Sequence, residues 1–203
     1  MSPSLKTFEA FDEPMVLDRG DKQYLYDIHG KKYIDLLGQN LCVSVGYNHP
    51  RLNKVVYDQM TKLQHATTMY YTEPSTKLAK EIVSTLPERS DGEDWVCHFV
   101  NSGSEAVDLA VQMACEYTGR KDVINFNLAY HGLQGIAAGL TAMEPAAQKC
   151  HSELYPYVKT INTNDLCELD MILREDNNPR PIDPACFIVE PVQGFGGVHK
   201  LND

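Results

Sequence analysis

A chain of 203 residues, 43% hydrophobic and 23% charged, is long enough to bury a core and has the composition of an ordinary globular protein. Its 28 acidic against 18 basic side chains give a formal charge of -10, which repels a phosphate backbone or an anionic bilayer. No nucleic acid and no membrane is therefore expected among its partners.

The six cysteines form no CxxC pair and, with the seven histidines, show no metal-ligand spacing. No metal is expected, and the thiols read as reduced core residues of an intracellular protein. The N-terminal stretch "MSPSLKTFEAFDEP" has neither the apolar centre of a signal peptide nor an arginine-rich transit pattern. The expected localisation is cytoplasmic, with a mitochondrial address as the alternative.

In chain order, Tyr24 to Ile28 alternates apolar and polar residues, "HGKK" supplies a turn and Tyr33 to Leu37 resumes, which predicts a β-hairpin. The run "NHPRLNKVVYDQMTKLQH" predicts a helix with Pro50 in its first turn and Leu52, Val55, Val56, Met60 and Leu63 on one face. A second helix, Glu73 to about Leu86, carries Leu78, Ile82, Val83 and Leu86 as its stripe. Both stripes are expected to pack into a core.

From residue 95 the rhythm becomes a strand, "WVCHFV", a helix from Ser104 to Tyr117 stopped by Gly119, and a strand, "DVINFN". That is one βαβ unit with a right-handed crossover. Residues 141–164 carry little periodicity and read as a surface excursion. "DLCELDMILRED" then predicts a helix and "ACFIVE" a buried strand. The alternation predicts an α/β fold: an incomplete, doubly wound, mostly parallel sheet preceded by a small N-terminal α+β segment. Three strands are few for such a sheet, so further strands are expected, and the chain by itself is expected to expose strand edges and helix faces.

Three motifs collect where ligands of such sheets bind, at the carboxyl edge. In "NSGSEA" the helix starts near Gly103, whose missing side chain lets an anion approach the first amides, while Ser102 and Ser104 add hydroxyls. The same residues also read as a capping box, Ser102 with Glu105, that satisfies the helix end internally. In "AYHG", Tyr130 offers a flat face to an aromatic ring, and His131 is either a hydrogen-bond partner for a ligand or a structural residue. In "VEPVQG", a buried strand delivers Glu190, a carboxylate that needs a polar network around it.

These motifs, in this order, resemble those of the class-III pyridoxal-phosphate-dependent aminotransferases of fold type I. "YLYDIHGKKYIDLLG" is similar to the family's N-terminal hairpin and "SVGYNHPRL" to its glycine-histidine-proline turn. The wording "SVGYNHPRLNKV" and "NSGSEAVDLAVQMA" is similar to that of alanine-glyoxylate aminotransferases and of related phospholyases acting on phosphorylated amino alcohols.

The resemblance implies pyridoxal 5'-phosphate as cofactor, cradled through its phosphate by Ser102, Gly103 and Ser104. It implies Tyr130 stacked on the pyridine ring with His131 beside it, and Glu190 and Gln193 in the network around the ring. It implies a small N-terminal segment, residues 1–72, and the first half of the cofactor-binding large domain, residues 73–203, as parts of a homodimer. The Schiff-base lysine and the pyridinium-binding aspartate of the family lie beyond the "EPxQG" strand. Lys200, in "GVHKLND", does not resemble that lysine motif, so no catalytic residue is expected in this chain and a truncated, inactive portion is. In ornithine- and 4-aminobutyrate-type members the loop after "EPxQG" begins with a gating glutamate; Phe195 stands there instead. That implies a small 2-amino acid such as alanine as donor and an oxo-acid such as glyoxylate or pyruvate as acceptor. The alternatives are a non-catalytic product that binds a phosphate ligand or pairs with a full-length subunit, and a phospholyase.

Overall fold

The computed structural model describes residues 15–142, 154–162, 165–174 and 182–202. The chain divides into two compact units, Met1–Pro87 and Glu88–Asp203. This division differs from the expected one after residue 72 by the Glu73–Val83 helix, which falls in the first unit.

The first unit opens on an antiparallel meander, β1 (Leu17–Asp21), β2 (Tyr24–Asp27) and β3 (Lys32–Ile34), in the order β1-β2-β3. The expected hairpin is β2 with β3. The β1 strand escapes sequence reading because "LDRGD" is charged and holds a glycine, both unfavourable to strands. The turn is organised by Asp27, whose carboxylate accepts from the amides of His29 and Lys31, each at 2.9 Å, and from the Tyr33 hydroxyl at 2.8 Å. Burial pushes the Asp27 carboxyl up, but these donors outweigh it and hold the group below the usual aspartate range. The β3 strand stops at Ile34 instead of Leu37 because Asp35 accepts from the Leu37 and Gly38 amides and turns the chain.

Two helices follow, α1 (Pro50–Lys62) and α2 (Glu73–Val83), each with proline in its first turn. Their stripes do not form a core. Leu52, Val55, Val56, Met60 and Leu63 are all exposed, as are Leu78, Ile82 and Leu86, and no described apolar residue of 15–87 is buried. Periodicity fixes which residues share a helix face, whereas burial needs a second element laid over it, and no described element of this unit does so. A surface of this kind drives association, so the chain in isolation is expected to elute at a size that grows with concentration on sizing. A concentration-independent monomer would contradict that.

In the second unit, β4 (Asp122–Phe126), β5 (Val158–Ile161) and β6 (Pro184–Ile188) form a parallel sheet in the order β5-β4-β6. Helices α3 (Gly103–Thr118), α4 (Gly135–Leu140) and α5 (Leu166–Leu173) accompany it, and a short ribbon of β7 (Val192–Gln193) and β8 (His199–Lys200) closes the chain. Alternation along β4 sends side chains to both faces. Val123 packs with Val111 of α3 and Leu140 of α4, while Ile124 and Phe126 pack with Ile161 and with Leu169 and Ile172 of α5. The sheet is thus covered on both sides, which is the doubly wound α/β arrangement.

One strand of the expected three is different. "WVCHFV" forms no strand, and Trp95, Val96, Phe99 and Val100 remain exposed. The third strand is Val158–Ile161, inside the expected excursion, of which residues 143–153, 163 and 164 lie outside the described residues. Strand formation follows pairing and burial more than propensity. "VKTI" lies in register beside β4, and the Thr160 hydroxyl donates to Asn125 Oδ1 at 2.8 Å across the ladder. The cysteines correct a further expectation. Cys115 and Cys186 pack against the core, but Cys42 and Cys167 are exposed, because one sits in a turn and the other on the uncovered side of α5. Cys150 lies outside the described residues.

Candidate functional site

The carboxyl ends of β4 and β6 bring two of the motifs together. After β4 the chain runs through Asn127 into the "AYHG" loop, and after β6 it reaches Glu190. The Tyr130 amide donates to Glu190 Oε2 at 3.0 Å. Gln193 is fully buried, and its Nε2 donates to the Asn127 carbonyl at 2.7 Å. The Tyr130 ring stacks on Phe195, with centroids 4.9 Å apart and planes 22° from parallel. Two loops distant in sequence are therefore locked into one polar edge.

His131 lies inside this edge. Its amide donates to Thr141 Oγ1 at 3.0 Å, while its ring Nε2 is buried with no hydrogen-bond partner among the described residues. Burial holds the imidazole below its ordinary value, against the opposing charge of Glu190. The folded state therefore binds fewer protons than the unfolded chain, so stability present at neutral pH is lost as pH falls through about 6.5. The expected result is a urea midpoint that drops between about pH 7.5 and 5.5, with His131→Gln flattening the drop. An unchanged slope in the variant would remove His131 as its cause.

The start of α3 holds the third motif. Ser102 Oγ accepts from the Glu105 amide at 3.2 Å, and Glu105 Oε2 in turn accepts from the Asn101 amide at 2.7 Å. The capping arrangement is thus present, shifted one residue outward on its return bond. It leaves room for the second reading, because no described acceptor meets the amides of Gly103 and Ser104, and a Cβ on Gly103 would find nothing within 4 Å. Ser104 Oγ accepts from the Leu133 amide at 3.2 Å, which ties α3 to the "AYHG" loop. Both serines keep a hydroxyl proton to donate. Ser102→Ala is expected to cost about 1 kcal/mol of stability in urea unfolding, and Ser102→Gly only a few tenths.

Against the expected pyridoxal phosphate, the residues fit. Gly103 and Ser104 present open amides at the positive end of a helix, His131 presents an orphaned ring nitrogen, and Glu190 presents a carboxylate. Sequence reading missed Thr141, whose buried hydroxyl accepts from the His131 and Gly132 amides and donates back to Gly132 O at 2.6 Å. Nothing in the aperiodic stretch around it signals that role. Among the described residues no helix is long and apolar enough to cross a membrane.

Residues 8–203 match the family described as aminotransferase class-III. The chain is 36% identical over 141 residues to the mitochondrial alanine–glyoxylate aminotransferase 2 of Homo sapiens, covering 70% of this chain and 26% of that protein. It is 35% identical over 222 residues to the probable mitochondrial gamma-aminobutyrate transaminase 3 of Oryza sativa subsp. japonica, covering 98% of this chain and 43% of that one. Among solved structures, the omega transaminase from Pseudomonas Jessenii in complex with PMP is similar at TM-score 0.75 and 25% identity, over 93% of this chain and 46% of that one. The chain thus spans less than half the length of these relatives.

Proposed function

The chain belongs to the class-III aminotransferases, and we propose that it carries the phosphate cradle and ring platform on which such an enzyme seats pyridoxal 5'-phosphate. When bound, that cofactor supplies the electron sink for chemistry at the carbon bearing the substrate's amino group. The chain's own residues bind and orient. The Gly103 and Ser104 amides, with the helix dipole behind them, take the phosphate. Tyr130 is the aromatic platform, held in orientation by the hydrogen bond its backbone N–H donates to Glu190 and by Phe195 against its ring. His131, kept neutral by burial, offers Nε2 to a polar group of the ligand without adding a charge. Gln193 locks the second loop to the first.

The juxtaposition of Glu190 with the Tyr130 amide at 3.0 Å, across 60 residues of sequence, carries this reading. It is tested by titrating the chain with pyridoxal phosphate. Saturable binding displaced by inorganic phosphate is expected; binding indifferent to phosphate, or none, overturns it.

For the reaction, we propose transfer of an amino group from a small alanine-like 2-amino acid to a glyoxylate- or pyruvate-like oxo-acid, within a homodimer in the cytoplasm or the mitochondrion. The relatives differ in their named substrates, alanine–glyoxylate in one and gamma-aminobutyrate in the other. Phe195 supports the first, since its uncharged ring lies on Tyr130 where a gating glutamate is expected in 4-aminobutyrate-type members. The protein purified from its native source is expected to turn over alanine with glyoxylate faster than 4-aminobutyrate with pyruvate. The reverse order overturns the substrate assignment and leaves the cofactor reading standing.

A further inference from the structure

We propose that Asp108 is a positioning residue that fixes the Tyr130–His131 loop at a set distance from the start of α3, so that the phosphate cradle and the ring platform act as one rigid site. The proposal rests on the cofactor reading above. Asp108 lies one helical turn after Ser104, on the same face of α3. Ser104 Oγ accepts from the Leu133 amide, and Asp108 Oδ1 accepts from the Ala137 amide at 3.0 Å. The Ala137 N–H is one of the donors that the first turn of α4 leaves over, and Gln134, the residue before that helix, makes no side-chain cap. The cap of α4 is therefore supplied by a neighbouring helix.

Two glycines make the approach possible. A Cβ on Gly132, at φ +138°, would sit 2.4 Å from Ser104 Oγ, and one on Gly135, at φ +57°, would sit 2.0 Å from Asp108 Oδ2. Any side chain there would have to displace the Ser104 or Asp108 side chain that makes the contact, or the loop itself. At the far end the loop is closed on itself by Thr141. Tyr130 and His131 thus stand between a helix-anchored stretch, residues 132–137, and the Glu190 contact. Asp108 itself has no role toward phosphate or ring; it acts through the loop.

The test uses the whole chain with Asp108→Ala and Asp108→Asn, titrated with pyridoxal phosphate and separately with inorganic phosphate, and hydrogen exchange followed at Leu133 and Ala137. In Asp108→Ala, affinity for pyridoxal phosphate should fall roughly ten-fold, the size of one lost charge-assisted hydrogen bond, while phosphate affinity stays within about two-fold. Asp108→Asn keeps an acceptor oxygen and should recover most of the loss. Equal losses for both ligands, or none, overturn the proposal. Should Asp108→Ala fail to fold, Gly135→Ala presses on the same contact from the loop side and must give the same selective loss. If the unaltered chain binds neither ligand, the cofactor reading fails by itself. Exchange then decides the positioning claim: faster exchange confined to 130–138 in Asp108→Ala supports it, and unchanged exchange sinks it.

Discussion

Thr141→Val should destabilise the second unit by about 3 kcal/mol, the largest stability effect expected at any polar side chain of the site. The Thr141 hydroxyl accepts from the amides of His131 and Gly132 at 3.0 and 3.2 Å and donates to the carbonyl of Gly132. Valine has nearly the same shape and no hydroxyl, so it leaves the buried Gly132 amide and the half-buried His131 amide without an acceptor. Each such orphan costs about 1–3 kcal/mol, far more than the net worth of a hydrogen bond whose two partners are both removed. Thr141→Ser keeps the hydroxyl and loses one methyl group, for about 1 kcal/mol. Urea unfolding of the three chains gives the comparison. If the serine variant is as damaged as the valine variant, the methyl packing and not the hydroxyl clamp holds this loop.

Glu190→Ala should weaken pyridoxal phosphate binding by roughly ten- to thirty-fold, matching about 1.5–2 kcal/mol for a hydrogen bond to a charged acceptor. The carboxylate takes the Tyr130 amide, so its removal frees the ring platform from the segment after β6 that carries Glu190. Inorganic phosphate should bind the variant as before, because Gly103 and Ser104 lie at the start of α3, whereas Glu190 acts on the Tyr130 amide. The second readout is His131. The Glu190 charge opposes the burial that lowers this imidazole, so without it the His131 titration should move further down. A proton-resolved titration that stays put, alongside lost binding, would assign the loss to general disorder of the loop.

The two effects differ in what they interrogate. Thr141 closes the loop on itself, and its loss is read as stability. Glu190 joins the loop to the segment that follows β6, and its loss is read as ligand affinity. Asp108 joins the same loop to a helix. A loop closed on itself and tied to two separate elements keeps the proposed ring platform preorganised, which lowers the ordering cost a ligand must meet on binding.

Much of this was written locally in the chain. Gly119 ends α3 because it sits at φ +71°, a conformation glycine reaches without strain. Ser102 and Glu105 close the helix start at the spacing that short side chains require, and "DVINF" forms the central strand its apolar run predicts. The two motifs at the sheet edge and the one at the start of α3 were visible for the same reason: each is a short stretch whose chemistry is complete within a few residues.

Three things were decided by tertiary structure. Which short segment joins the sheet was settled by pairing with β4: "VKTI" is in register with it and "WVCHFV" is not, although the latter has the stronger strand pattern. The fate of the apolar stripes on α1 and α2 was settled by whether another element covers them, which no periodicity encodes. The clamps at Thr141 and Asp108 join side chains to backbone amides supplied by whichever loop the fold brings near. Sequence determined the family, the helix ends and which residues are expected to meet a cofactor, because those depend on short-range geometry; the fold determined how they are held, because amides 10 to 60 residues away become partners only once the chain has folded.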